Sequence, residues 1–482
     1  MSLLFAGLPV AVSCLLILLW RKSALFAAVA GVVLAAIIML LWPDFHLAGT
    51  GWYKALAEST AHTLNVAYVL LGGVLLYQVV RAGDGLSAIA AWVQSRITDQ
   101  LHCLLAIVFG VSVFFESATG FGVGILVSAP LLLAMGYSPR VAALISLFGQ
   151  CAVPWGALAI GTVIGSDISA VSTLRLGVLA VILGLPFIAF CGAAALWVAG
   201  LWHGQVVNAI RWLMIYVLVL CLSLLFSTWL VGVELAGCIA GLLMVAFSLL
   251  VSRLRNLSHP GLMLPLRALT PFIFLVVCLM LSRQYRPVAD GLQAIRVGSF
   301  QPFYHAGFWL LLSACVAFAV LPGSRANPLH TGVAAIGQWY KATLAVACFL
   351  LLGHLMKHSG MSIALAQAVA QQAGVHYLAF APLLGALGGF LTASNASSNA
   401  LFMDFQMQAA ASAAISTELM AAAQNTAGSN ATLASPGRVI FAASITGSPH
   451  AESDLFRGAL PVAVAGVLAT SLLVTLLVQV VE

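Results

Sequence analysis

Residues 101–135 read LHCLLAIVFGVSVFFESATGFGVGILVSAPLLLAM. Leu101–Phe115 is apolar apart from His102 and Ser112. Then Glu116-Ser117-Ala118-Thr119-Gly120-Phe121-Gly122-Val123-Gly124 places a carboxylate and three glycines in line, and Leu126–Met135 is apolar again. A helix that breaks on glycine between two apolar arms suits a chain turning back on itself. At membrane depth such non-helical backbone is tolerated only where it is buried in protein or lines a cavity. The stretch therefore reads as a re-entrant hairpin, with Glu116 near its tip.

That reading presupposes lipid, and the rest of the chain supplies the reason. Of 482 residues, 62% are hydrophobic and only 7% charged, against roughly 25% charged in soluble domains. Apolar runs long enough or nearly long enough to span a bilayer occur at Leu3–Trp20, Ser23–Trp42, His62–Val80, Val141–Gly165, Leu176–Ala199, Ala209–Leu230, Leu235–Val251, Leu269–Leu281, Gly307–Leu321, Tyr340–Met356 and Gly458–Val481. The expectation is an all-α polytopic membrane protein with about twelve transmembrane helices. Arg21 and Lys22 follow the first run rather than precede it, so Leu3–Trp20 is expected to be a retained helix and not a secretion signal. The net charge of +6 is scattered and falls mostly at span ends, which points to topology and away from nucleic acid. The nine cysteines are dispersed through apolar runs without metal-ligand spacing, as expected of small packing residues.

With Arg21–Lys22 placed in the cytoplasm by the positive-inside rule, Arg81, Arg96, Arg253, Arg255, Arg267, Arg325, Lys341 and Arg457 also fall inside. Lys54, Arg175 and Lys357 fall outside. A second copy of the hairpin pattern follows Lys357. Arg81-Ala-Gly-Asp-Gly85 and Lys357-His-Ser-Gly360 each lead into a short amphipathic helix and then an apolar run ending in Phe115 or Phe390. The second tip reads Leu391-Thr392-Ala393-Ser394-Asn395-Ala396-Ser397-Ser398-Asn399. The same spacing carries Gln150 onto Gln424 and Asn425. Span counting gives the copies opposite orientations, the inverted repeat common among secondary transporters. The divisions expected are a first repeat over 1–200 with its hairpin near 101–136, linking helices over 201–267, and a second repeat over 268–482 with its hairpin near 376–415. Two tightly packed small-residue helices are the plainer alternative.

Most acidic residues lie at span ends, but Glu116 lies inside a glycine-broken segment, and an intramembrane carboxylate is a functional-site hypothesis by default. It reads as a proton-coupling group or as a cap for its own hairpin. Ser117, Thr119 and Gly120 beside it, with Thr392, Ser394, Asn395, Ser397, Ser398 and Asn399 at the second tip, offer hydroxyls, amides and free backbone N–H groups to an anion, or simply cap helices. Two further breaks are expected at Gln150–Gly156 and Gln424–Asn430, bringing Gln150, Gln424 and Asn425 to the hairpin tips. Arg438 follows, placed either to pair with a carboxylate or to snorkel to the surface. Arg283, ending a span, reads as an interfacial anchor. His-Glu-x-x-His, P-loop and Gly-x-Ser-x-Gly patterns are absent from the sequence, so neither an enzyme nor a cofactor or metal site is expected.

At these residues the chain resembles the L-lactate permease family of bacterial organic-acid carriers. The likeness rests on Phe114–Gly122, on Gly149-Gln150 with Val153-Pro154-Trp155-Gly156-Ala157-Leu158, and on Ser359-Gly360-Met361. It continues through Ser397-Ser398-Asn399-Ala400-Leu401-Phe402, Ser435-Pro436 and Glu452 with Leu455-Phe456-Arg457. The resemblance implies proton-coupled symport of lactate, glycolate or a related 2-hydroxy carboxylate across the bacterial cytoplasmic (inner) membrane. The partners are then a small organic anion, a proton and the bilayer, with a homo-oligomer left open. Two positions depart from the pattern. Where the family usually reads Gly-Ser-Asp-Thr-Ser this chain has Ala393-Ser394-Asn395-Ala396-Ser397, and Gly437-Arg438 stand where uncharged polar residues are usual. An acid lost and a cation gained suggest the alternative of a more highly charged sulfonated or dicarboxylic anion. An anion channel is the alternative from another class.

Overall fold

The computed structural model describes residues 2–20, 22–120, 122–202, 206–255, 263–297 and 300–481. Arg21, Phe121 and Glu482, used in reading the sequence, lie outside the described residues. Helices dominate, because in lipid each backbone N–H and C=O must find its partner within the segment. The chain opens with α1 (Ser2–Leu18), α2 (Ala24–Leu41), the long α3 (Gly49–Ala82) and the short α4 (Gly85–Arg96). Next come α5 (Gln100–Ala106), a π turn (Ile107–Val111) and α6 (Ser112–Thr119), which run on as one rod. After a break the chain returns as α7 (Val123–Ala134), packed on α6. Then α8 (Pro139–Phe148) and α9 (Gly156–Ser169) flank a 3-10 turn at Val153–Trp155 and bend by 68° across it. The half closes with α10 (Thr173–Val198).

The connecting helices are α11 (Val206–Val231), α12 (Val233–Leu254), α13 (Leu266–Gln284), α14 (Arg286–Ala294) and α15 (Ala306–Val320). The order seen from α3 to α10 then recurs. A long α16 (Pro328–His358) and a short α17 (Met361–Ala373) lead to α18 (Tyr377–Thr392), a tight turn and α19 (Asn395–Ser412). Next come α20 (Thr417–Ala431), a 3-10 turn (Thr432–Ala434), α21 (Pro436–Ile445) and the long α22 (Glu452–Val481). The two series meet in the middle of the molecule, where α3 lies against α16 and α9 crosses α19.

Ten helices among the described residues are long and apolar enough to cross a membrane, or eleven if the bent α8–α9 pair counts as one span. The expected number was about twelve. The shortfall comes from Leu3–Trp20 and Gly307–Leu321, whose helices α1 and α15 have 17 and 15 residues, short of the ~20 a bilayer asks for. The rod Gln100–Thr119 stands apart. In its core window 94% of residues are buried, against 28–56% in the other spans, so this helix is enclosed by protein on every side.

Close packing replaces the hydrophobic effect between helices in lipid, and small residues permit it. At the α18–α20 crossing a methyl group on Gly389 would collide with the Gly428 carbonyl oxygen, so only glycine fits there. Arg283, in the last turn of α13, donates through Nε and Nη2 to Glu234 Oε2 at 3.0 and 2.7 Å, and its guanidinium lies 3.8 Å from the Tyr304 ring centroid. A planar guanidinium makes such a forked contact and stacks at the same time, tying α13 to α12.

Candidate functional site

The first hairpin tip is built by glycine. Gly120 has φ +72° and a Cβ there would stand 2.6 Å from Ala157 Cβ, so the turn needs both its backbone freedom and its lack of a side chain. The reversal leaves Glu116 on the last turns of α6, buried at 3% exposure, with one carboxylate oxygen 3.4 Å from the N–H of Gly124. The second tip turns through Ala393 in the left-handed region (φ 57°). Ser394 then caps α19, its side chain accepting from the Ser397 N–H at 3.2 Å.

Behind the first tip the chain is strained. Ala157, Leu158 and Ala159 have φ of 50, 52 and 58°, three left-handed residues in succession without a glycine. Each costs roughly 1–2 kcal/mol, and such strain persists only where surrounding structure enforces it. The turn brings the start of α9 against the hairpin tip.

Between these pieces lies a cavity of about 370 Å³. The starts of four helices reach it: α7 at Gly122, the right-handed part of α9 at Ile160–Gly161, α19 at Ser394–Ser397 and α21 at Gly437–Arg438. Helix starts carry free N–H groups and the positive end of the helix dipole, so the cavity favours negative charge before any side chain is counted. Among its lining residues the only fixed charges are Glu116 and Arg438. They meet. Arg438 Nη2 donates to Glu116 Oε1 at 3.2 Å and Nη1 donates to Gln150 Oε1 at 2.6 Å. Arg438 is 9% exposed, so it does not snorkel.

The expected site residues divide into two groups. Glu116, Gly120, Thr392, Ser394, Asn395, Ser397 and Arg438 line the cavity. Ser117, Thr119, Gln150, Ser398, Asn399, Gln424 and Asn425 do not. Thr119 Oγ1 donates back to the Phe115 carbonyl at 2.8 Å, and Ser117 is buried against α12 beside Gly237. Gln150 stands behind Arg438 and orients it. The expected break at Gln424–Asn430 is also corrected: this run is helical within α20, and the break falls at Thr432–Ser435. The amides do not unwind the helix because they pair across it. Asn425 Oδ1 accepts from Asn395 Nδ2 at 2.8 Å and Asn399 Nδ2 at 2.9 Å, while its own Nδ2 donates to Thr162 Oγ1 at 3.2 Å. Gln424 Nε2 donates to Ser398 Oγ at 3.2 Å and Gln424 Oε1 accepts from Gln406 at 3.1 Å. These residues form a buried polar lattice that fixes the second tip against α9 and α20.

The sequence model of the L-lactate permease family matches residues 2–259 and 284–481. The chain belongs to the L-lactate permease family. As a family member it is a transporter and not an enzyme, a multi-pass protein of the bacterial inner membrane. It is 25% identical over 447 residues to the L-lactate permease of Escherichia coli (strain K12), covering 81% of this chain and 80% of the relative. It is 24% identical over 457 residues to the glycolate permease GlcA of the same strain, covering 81% and 80%. The L-lactate permease of Halalkalibacterium halodurans is 25% identical over 511 residues, covering 95% and 93%.

In this family member one polar lining residue escaped the sequence reading. Gln338 of α16 faces the cavity and accepts from Gln78 Nε2 of α3 at 3.1 Å. The signal was weak, an amide among several polar residues on each of two long helices. Polar groups there almost always face protein interior or a water-filled space.

Proposed function

We propose that the chain carries a small 2-hydroxy monocarboxylate, of the lactate or glycolate type, together with a proton. The carrying observation is the buried Glu116–Arg438 pair at the cavity wall. While Glu116 is ionised it neutralises Arg438, and the cavity has no net charge to offer. A proton on Glu116 ends that, and the guanidinium turns to a substrate carboxylate, which it can meet through two parallel hydrogen bonds. One anion replaces another, so the site stays neutral through the exchange and avoids the cost of an unpaired buried charge. Proton and substrate thus arrive together and leave together.

The charge count also speaks to size and valence. With Glu116 protonated the wall carries one positive charge, which matches a monoanion, so the surplus cation that motivated a dianionic substrate is already committed. Partners for a 2-hydroxyl group stand at the second tip, where Thr392, Ser394, Asn395 and Ser397 line the cavity. The test is uptake into proteoliposomes of labelled lactate, glycolate and a dicarboxylic hydroxy acid, with and without an imposed proton gradient. Saturable, gradient-driven accumulation of the monocarboxylates is the expected result. Flux that only follows the substrate gradient would make the protein a channel.

The recurring element order supports an inverted repeat, α3–α10 against α16–α22, with the cavity at its centre. Cysteine labelling in a background without native cysteines tests it. Thr98 and Gln372 are exposed at the matching α4 and α17 ends; Gln372 is preferable to Gly374, whose φ of +51° disfavours a side chain. Thr98→Cys is expected to react only from the cytoplasm and Gln372→Cys only from outside. Reaction of both from one face would end the inverted-repeat reading.

A further inference from the structure

Away from the cavity, the start of α3 meets the end of α16 in a cluster that transport of an anion does not use. Glu58 Oε2 lies 3.1 Å from His354 Nδ1, 3.1 Å from His358 Nε2 and 3.5 Å from Lys357 Nζ. His354 and His358 are four residues apart, so one helix face presents both rings. The donor atoms of Glu58, His354 and His358 all lie within 4.8 Å of one another. A tetrahedral zinc site with bonds of about 2.0–2.1 Å spaces its ligand atoms about 3.3 Å apart, and these atoms need only small side-chain adjustments to reach that.

We propose that Glu58, His354 and His358 form a binding site for a divalent cation of the zinc class. Two imidazoles and one carboxylate are a ligand set that zinc accepts, with the fourth position left to water. His354 is 6% exposed and held in place, while Glu58 is open enough to leave that fourth position reachable. His358 Nε2 is buried and lies 3.1 Å from the same Glu58 oxygen, so both rings already converge on one carboxylate. The surroundings also suit a cation. Asp404 of α19 lies within electrostatic range of Glu58, His358 and Lys357, and one of its carboxylate oxygens is buried without a partner. Asp167 Oδ2 is 3.8 Å from His62 Nδ1, and the His62 ring stacks on His354 at 5.3 Å. With the imidazoles neutral, three carboxylates face one ammonium. Lys357 is the competitor, because it holds the same Glu58 oxygen the metal would take.

Titration of the tag-free, full-length protein in detergent with Zn2+ against a chromogenic chelator tests the proposal without any transport measurement. One Zn2+ per chain is expected, with a rise in thermal stability as the metal binds the folded state. Loss of an outer partner of a metal ligand alone costs about 10–100-fold in affinity, so losing a ligand in His358→Gln or Glu58→Gln is expected to weaken binding by at least ~100-fold. Both variants should elute as the wild type does on size exclusion, since Glu58 is partly exposed and His358 lies at a helix end. Lys357→Gln is expected to bind more tightly, which a plain ion-pair network would not produce. Wild-type protein that takes up no Zn2+, binding that His358→Gln and Glu58→Gln leave intact, or weaker binding on removal of Lys357 would each overturn the proposal.

Discussion

Glu116→Gln is expected to abolish proton-driven accumulation while leaving exchange of substrate across the membrane measurable. Glutamine has the shape of glutamate but a single oxygen, so it keeps the contact with Arg438 or the one with the Gly124 N–H, which the two Glu116 oxygens make separately, and the hairpin tip loses only the weaker of them. It cannot take up or release a proton, and it cannot neutralise Arg438. The guanidinium is then always available to a carboxylate, so substrate binds at any pH. Energy stored in a proton gradient no longer reaches it. In proteoliposomes the accumulation ratio of labelled substrate should fall to unity, and exchange should lose its dependence on pH. Accumulation that survives unchanged at several pH values would remove Glu116 from the proton path.

Arg438→Gln is expected to be the more damaging single change. In the substrate-bound site the guanidinium is the partner of the substrate carboxylate, and truncating one partner of a buried, hydrogen-bonded charge pair weakens binding by about 2–5 kcal/mol. At 1.4 kcal/mol per tenfold change, exchange should fall by ~100-fold or more for a lactate-like monoanion. A dianionic hydroxy acid, which needs the cation more, should fall further. Arg438→Lys keeps the charge but cannot reach Gln150 and Glu116 together as the fork does, so partial recovery is expected. Equal, modest losses for both substrates would make Arg438 a structural residue. Asn395→Asp, a return to the acid usual at this position, makes a poor companion test. It replaces the Nδ2 donor facing Asn425 Oδ1 at 2.8 Å with an oxygen, and two acceptors would then oppose each other in the buried lattice.

The first hairpin tip was legible because glycine and a carboxylate inside an apolar run conflict with both helix propensity and lipid, leaving few ways to satisfy both. The bend at Val153–Trp155 was legible for the same reason, since proline removes a helix donor. Gln424–Asn430 misled because small and polar residues look like a break when only local preference is considered. Their partners, Asn395, Asn399, Ser398 and Thr162, come from other helices, and no local rule anticipates them. Arg438 was undecidable locally: Ser435-Pro436-Gly437 fits a helix start at the surface as well as one at a cavity. The pairing of Glu58 with His354 and His358 was invisible because it joins the beginning of one long helix to the end of another.

The Glu116–Arg438 pair also constrains how this sequence can change over time. Either residue lost alone leaves a buried charge with no counterpart unless something else compensates it. In the pattern usual for the family, with an uncharged polar residue where Arg438 stands, Glu116 has to be balanced by some other residue or by a bound proton. Arg438 takes that duty over in this chain, so the relatives without it are the place to look for a second, compensating cation.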